Sequence, residues 1–530
     1  MMKPKEDRRI EVMDTTLRDG EQTSGVSFSE LEKLNIAIKL LSDVKVDRIE
    51  IASARVSKGE FKAVRKITDW ARNNGCLNRI EVLGFLDGTQ SLEWIEKSGA
   101  KVVNLLTKGS INHLKYQLRK TQEEHVADIR TFVHNAREKG LEVNIYLEDW
   151  SNGMINSKDY VFYYLDNLKH EPVKRFMLPD TLGIFNYEDV YQFCSEMVER
   201  YPELHFDFHA HNDYDLSIAN SYAGIMAGMQ GIHTTVNGLG ERAGNAPLSS
   251  VIGVIKDHMN CHIGVDESQL LAVSKLVESF SAMRIPSNKP LIGENVFTQT
   301  CGVHADGDSK KELYFNALLP ERFGRKRKYA LGKTSGKANI KKNLEEWGIS
   351  LDPESMEKIT QRVIELGDKK EHVTAEDLPY IVSDVLNNSM VDEKIKMVGY
   401  ALSLTKGLRP VASVNVEIDQ VQYQETSEGD GQYDAFMKAL RKIYTKLHKS
   451  FPLLTDYMVT IPPGGSTDAL VETVITWDYG EKEFKTRGLD ADQTESAIKA
   501  TTKMLNLLEN TFENNNHNGK GRMHTLKSLE

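Results

Sequence analysis

The chain has 530 residues with 67 Lys+Arg against 77 Asp+Glu, a net charge of −10, which argues against a dedicated nucleic-acid binder. Hydrophobic residues make up 40% and charged residues 27%, and no apolar run is long enough to span a bilayer, so no membrane partner is expected. No apolar segment follows the charged start MMKPKEDRRI, and the cysteines (Cys76, Cys194, Cys261, Cys301) lie too far apart for a disulfide framework or a zinc ribbon. The expectation is a reduced, cytoplasmic protein of roughly two to four domains.

Strand-like runs recur through the first half, at residues 9–20, 46–53, 79–87, 101–109, 141–149, 175–181, 205–213 and 231–242. Amphipathic stretches such as 29–43 and 187–201 lie between them. Alternating strands and helices imply a parallel sheet, and this many units in residues 1–286 fit a (β/α)8 TIM barrel. An open doubly wound sheet is the alternative, but the GxGxxG turn expected after its first strand is missing. Residues with chemistry fall at the C-terminal strand ends: Arg18, Asp19, Glu148, Asp180, Thr181, His209, His211 and the run Asn237 to Asn245. That end is the active-site face of such barrels.

Residues 287–345 are glycine-rich and basic with little periodicity, and 346–400 read as helical, so 287–400 is expected to form linker subdomains. From 401 to 511 a strand-plus-helix pattern appears twice, which reads as a C-terminal α+β domain with an internal repeat. The polar tail, 512–530, is expected to be disordered. The segment GKTSGK (332–337) is no phosphate loop, since Arg327 stands where the first glycine is required.

The strongest local signal is His209-Ala210-His211. Residues two apart on a strand share a face, so both imidazoles point together with Asp207, while Phe206, Phe208 and Ala210 face the covering helices. Two histidines near a barrel mouth form half of a metal site; a hydrogen-bonded core pair is the bland alternative. With the Asp19 carboxylate and the Asn245 amide, the set suits a divalent Mn2+, Mg2+ or Zn2+.

Together, DTTLRDGEQ (14–22), HAHND (209–213), NGLGERAGN (237–245) and GVHADG (302–307) resemble the isopropylmalate, homocitrate and citramalate synthases of the DRE-TIM metallolyase superfamily. The resemblance covers nearly the whole chain. It implies a Claisen-type condensation of acetyl-CoA with a 2-oxo acid, followed by hydrolysis of the thioester. It implies Asp19, His209, His211 and Asn245 as metal ligands, and Arg18 as the group that stabilises alkoxide and enolate oxygens. Thr181 would bind the substrate carboxylate. Acid–base work falls jointly to Glu148 and His304, with Tyr314 assisting. In the family, the segment carrying His304 reaches over the partner subunit's active site, and the linker subdomains cover that site.

Pocket size should choose the 2-oxo acid. Leu83, Leu106 and Tyr146 are expected to converge on the ketone substituent, leaving room for a methyl and little for an isopropyl group. This set resembles the pyruvate-using citramalate synthases, with isopropylmalate synthesis from 3-methyl-2-oxobutanoate as the alternative. Homocitrate synthesis would need a polar partner for a second carboxylate, and a lyase would carry a cysteine in the loop that here reads GLGERAGNAPL. A metabolite sensor would not need the whole ligand and arginine set. The resemblance makes 401–511 a regulatory domain that dimerises and binds a branched-chain amino acid, isoleucine on the citramalate reading. Glycines precede expected helix starts at 427–440 and 461–473, where Asp434 and Asp468 read equally as helix caps. The basic run Arg325 to Lys328 reads either as a CoA-phosphate contact or as a solvated face. Glu312 departs from the neutral amide of some relatives.

Overall fold

A computed structural model describes residues 8–310, 313–346, 349–368, 373–386, 394–460, 471–480, 482–517 and 524–526. Strands β1 (Glu11–Asp14), β2 (Arg48–Ser53), β3 (Ile80–Phe85), β4 (Val102–Lys108), β5 (Glu142–Glu148), β6 (Val173–Asp180), β7 (Phe206–Ala210) and β8 (Gly231–Thr234) pair in parallel and in chain order. β8 returns to β1 with Met13 opposite His233, which closes the barrel. Helices follow the strands, among them Glu30–Ile38, Gln122–Glu138 and Tyr187–Arg200. Each of these three starts with a reciprocal cap, Ser29 with Glu32, Thr121 with Glu124 and Asn186 with Asp189, which satisfies otherwise orphaned backbone donors.

The period-two pattern sorts the side chains. Val12, Ile49, Ile51, Val103, Leu105, Val143, Ile145, Phe206 and Phe208 lie outward in the main core, where the helices cover the strands. The barrel interior is mixed. Met13, Leu83, Tyr146 and Met177 form a small apolar cluster against which Phe85 and Leu106 pack. Around it are the buried charged and polar groups Arg48, Glu50, Glu81, Asn104, Asn144, Asp207 and His233. Each is hydrogen-bonded within the interior, as burial of such groups requires. At the N-terminal end of the strands, a cavity of about 470 Å³ is lined by Arg9, Glu11, Arg48, Arg79 and Arg175 among others. Its charges are paired, Arg175 with Glu11 at 2.7 Å and Arg48 with Glu81 at 2.8 Å, which suits a structural role.

Several strands end earlier than the sequence suggests, the eighth already at Thr234, and two of these ends position the metal-site candidates. The first stops at Asp14, because the N–H groups of Arg18, Asp19 and Gly20 all bond the Thr15 carbonyl and fold the chain into a turn. The seventh stops at Ala210, and His211 makes an isolated antiparallel bridge to Asn245. Both departures carry site residues onto the rim.

The chain divides into two compact units: residues up to Phe297 with Asn316–Lys326, and Thr298–Phe315 with Arg327 onward. In the second unit, helices Lys337–Glu346, Pro353–Asp368 and Leu378–Leu386 share a core of Ile340, Leu344, Ile359, Val363 and Val382. Two three-stranded antiparallel sheets follow. The first comprises β9 (Ile395–Ser403), β10 (Val411–Ile418) and β11 (Val421–Glu428), then helix Gln432–Lys446. The second comprises β12 (Leu453–Thr460), β13 (Val471–Tyr479) and β14 (Lys482–Asp490), then helix Gln493–His517. The repeat is therefore three strands and a helix, taken twice, around Val414, Val416, Phe436, Leu440, Trp477 and Met504.

Strand β9 falls where the sequence reads as helical linker, because a bulge between Met397 and Gly399 breaks its alternation. The last helix runs on to His517, past the 512 boundary, since adding a turn to an existing helix is cheap. His524–Leu526 pairs with Ile349–Leu351, a second departure from the disordered tail expected there.

Candidate metal centre and active site

Asp19, on the turn after β1, and His209 and His211, at the end of β7, bring three ligand atoms within 4.8 Å of one another. Asp19 Oδ2 lies 3.1 Å from His209 Nε2 and 3.9 Å from His211 Nε2, and the two Nε2 atoms are 3.3 Å apart. All three side chains are buried. Asn245 donates its amide nitrogen to Asp19 Oδ2 at 3.0 Å, and its Oδ1 is buried with no hydrogen-bond partner. A buried orphan oxygen beside two converging imidazole nitrogens and a carboxylate is the donor set of a divalent-cation site.

The electrostatics agree. Burial would raise the Asp19 carboxyl, but the Arg18 guanidinium and both histidines hold it well below the usual carboxylate range. His211 is pushed down to about 4 by burial and by His209, against the pull of Asp19. Near neutral pH it therefore offers a free lone pair, as a metal ligand must.

Arg18 lies beside this cluster with 11% of its side chain exposed. Its Nε donates to Glu50 Oε2 at 2.6 Å, its Nη1 is 3.6 Å from Asp19, and its Nη2 reaches the Tyr146 hydroxyl at 3.5 Å. Burial alone would lower its pKa; Glu50 and Asp19 reverse that and keep it cationic. Glu50 also accepts from Thr15 at 2.7 Å and Asn104 at 2.8 Å, so both carboxylate oxygens are committed. The groups around Arg18 thus come from β2, β5 and the turn after β1, which fixes its plane.

At the ends of β4 and β5, Lys108 stands opposite Glu148 in register and its ammonium pairs directly with that carboxylate. Lys108 is almost fully buried and Glu148 is about a quarter exposed. The Thr181 hydroxyl accepts the Asp149 N–H at 2.9 Å, which leaves its own proton free to donate. Arg242 braces the same rim, donating to the Thr181 carbonyl at 2.9 Å and to both oxygens of Asp213. Leu83, Leu106 and Tyr146 do converge in one cluster, and the Tyr146 ring stands edge-on to His209 at 6.1 Å.

In the second unit, the His304 and Tyr314 rings pack at 4.2 Å between centroids. Tyr314 covers Gly307 so closely that a Cβ there would lie 2.4 Å from its ring, so this stack requires glycine.

Comparison with known proteins decides the family. Residues 9–277 match the HMGL-like family, 291–371 the homocitrate synthase post-HMGL domain, and 372–509 the LeuA allosteric (dimerisation) domain. The chain is 35% identical to a putative (R)-citramalate synthase CimA of Methanopyrus kandleri, over 87% of this chain and 88% of that one. It is 33% identical to the (R)-citramalate synthase CimA of Methanocaldococcus jannaschii, over 94% and 100%. It is also 33% identical to a probable 2-isopropylmalate synthase of Methanopyrus kandleri, over 94% and 98%. The chain belongs to the citramalate and 2-isopropylmalate synthase family.

As a member of that family it is an acetyl-CoA-dependent condensing enzyme whose relatives use a divalent metal. Glu50, Lys108 and His233 are among the interior residues of this synthase that sequence reasoning missed. A signal was available for Glu50, which interrupts the apolar run RIEIAS, and for Lys108, which ends β4 on the face that carries Leu106. Of the basic run, Arg325 is used up on the carbonyls of Leu291, Gly293 and Glu294. Arg327 stacks on Phe315 at 3.9 Å beside Asp308. Both therefore have structural partners within the chain. Asp434 sits in the first turn of its helix and accepts the Asp430 N–H at 2.8 Å, which is cap chemistry. Asp468 and Glu312 lie outside the described residues. No helix among the described residues is long and apolar enough to cross a membrane.

Proposed function

We propose that this synthase condenses acetyl-CoA with pyruvate to give (R)-citramalate and CoA. The observation that carries the reading is the packing of Leu83, Tyr146 and Leu106 with Met13 and Met177 beside the candidate metal ligands. Two leucines and a ring leave space for a methyl substituent. Adding two carbons to that substituent overpacks the site, at a cost of about 1–3 kcal/mol.

Asp19, His209, His211 and Asn245 would hold Mn2+, Mg2+ or Zn2+, and a bound ion would polarise the ketone of the 2-oxo acid as a Lewis acid. Thr181 donates its free hydroxyl proton to the substrate carboxylate. Glu148, oriented by Lys108, takes a methyl proton from acetyl-CoA, and the C–H electron pair moves onto the thioester oxygen as an enolate. The enolate carbon attacks the ketone carbon, and Arg18 takes the charge that develops on oxygen. His304 and Tyr314 return a proton to that oxygen and assist hydrolysis of the thioester. The C-terminal repeat serves as a dimerising regulatory domain for isoleucine, and four unpaired cysteines support a cytoplasmic setting.

The near-equal identity to a probable 2-isopropylmalate synthase favours a second reading, with 3-methyl-2-oxobutanoate as substrate and leucine as effector. CoA release with Mn2+ and acetyl-CoA, across concentration series of the two 2-oxo acids, separates them. A higher kcat/KM for pyruvate, with inhibition by isoleucine rather than leucine, is expected. A preference for the branched acid overturns the pyruvate reading.

A further inference from the structure

His233 is a fully buried residue of β8 with no part in the chemistry above. Its Nε2 lies 3.1 Å from Asp207 Oδ2 and its Nδ1 lies 3.2 Å from the Tyr146 hydroxyl. Asp207 is in turn held by Arg48 at 2.5 Å and His205 at 2.9 Å. This chain runs through the barrel interior from Arg48 to the residue that walls the substrate pocket.

The partners fix the proton positions. Asp207 is an acceptor on both oxygens: Arg48 Nη2 donates to its Oδ2 at 2.5 Å, and His205 Nε2 lies 2.9 Å from its Oδ1. It can only accept, so His233 carries its proton on Nε2 and presents a lone pair at Nδ1. The Tyr146 hydroxyl then donates to Nδ1, and its oxygen accepts from Arg18 Nη2 at 3.5 Å. Glu50 Oε2 is the other acceptor in reach, at 3.4 Å, but it already receives Arg18 and Thr15. The two rings meet edge-on at 5.6 Å.

The backbone is built for this arrangement. A Cβ at position 231 would fall 1.9 Å from Asp207 Oδ1, so glycine two residues before His233 is what lets Asp207 lie across β8. A tyrosine anchored only by apolar contacts can change rotamer to admit a larger ligand. One pinned at its hydroxyl by a braced histidine cannot do so without leaving a buried acceptor unpaired.

We infer that His233 is a specificity-determining positioning residue: braced by Asp207, it pins the Tyr146 hydroxyl and so keeps the Tyr146 ring as the wall that limits the 2-oxo acid substituent. The inference rests on the pyruvate reading and deepens it.

The test compares pyruvate with 2-oxobutanoate, one methylene longer, in the full-length enzyme, three single variants and one double variant, by CoA release. His233→Leu keeps the bulk and removes both ring nitrogens; it should lower the pyruvate/2-oxobutanoate ratio of kcat/KM by about tenfold, the scale of one-methylene discrimination. The loss should come from KM for pyruvate more than from kcat. His233→Gln, whose amide both donates and accepts, should recover most of the ratio. Tyr146→Phe should lower the ratio as His233→Leu does, and the double variant should lose no more than Tyr146→Phe alone. If His233→Leu does not fold, Tyr146→Phe against His233→Gln still decides. Equal loss for both substrates in His233→Leu, or multiplicative losses in the double variant, would overturn the inference while wild type still prefers pyruvate. A wild-type preference for 3-methyl-2-oxobutanoate would overturn the small-pocket reading and this inference with it.

Discussion

The Arg18–Glu50 pair makes a quantitative prediction. Glu50 is fully buried and Arg18 is nearly so, at an Nε–Oε2 separation of 2.6 Å. Removing one member of such a pair strands the other charge away from water, which costs about 3–5 kcal/mol. Glu50→Gln keeps the shape, yet its amide presents N–H donors to a site where Arg18, Thr15 and Asn104 all donate. Arg18→Met leaves Glu50 ionised with neutral donors only. Each single variant should lose about 3 kcal/mol, a fall in Tm of roughly 6–12 °C at about 2–4 °C per kcal/mol for large domains. The double variant removes both charges, so its loss should be smaller than the sum by at least about 2 kcal/mol. Activity should not recover with stability: Arg18→Met should cost about 10²–10³ in kcat, alone or with Glu50→Gln, because the oxyanion donor is gone. Melting in EDTA keeps metal binding out of the comparison. Additivity within about 0.5 kcal/mol would refute the reasoning, since the two side chains would then contribute independently.

Other consequences can be checked directly. His209→Asn and His211→Asn should each weaken Mn2+ binding, measured by calorimetry, by more than the roughly 10–100-fold that loss of a supporting partner costs. Lys108→Met removes the cation that orients Glu148; kcat should fall about 10²-fold with KM for pyruvate unchanged, and Lys108→Arg should retain more activity. His125, buried against Tyr160, has its pKa pushed down by desolvation from the usual 6.5 to about 4. The unfolded chain therefore binds its proton first: the stability contribution is complete above pH 6.5 and declines toward pH 4, by about 3 kcal/mol in all. Melting between pH 7.5 and 4.5 should show a shallower loss in His125→Gln than in wild type, and parallel curves would contradict this.

What the sequence disclosed and what it hid divide along one physical line. Period-two alternation and strand ends are local properties, so the barrel and the Asp19, His209 and His211 cluster were legible. The same rule fails for depth. Asp207 shares a face with His209, as alternation requires, but two residues along a strand is roughly 7 Å. That distance takes Asp207 below the candidate metal ligands to Arg48 and His233, which come from strands 159 and 26 residues away in the chain. Tyr146 was legible as bulk in the barrel interior, because bulk belongs to the residue itself. Its hydroxyl was not legible as a pinned group, because the pin is supplied by β8 and the brace by β7 and β2. The β9 strand was hidden for the converse reason: its bulge spoils a local pattern that the sheet around it restores. In a closed barrel every interior side chain meets partners from strands that are neighbours only after closure, and the polar layer beneath the metal ligands is made of such meetings. That layer depends on residues that no motif contains, and Gly231 is the clearest example: a side chain there would collide with Asp207.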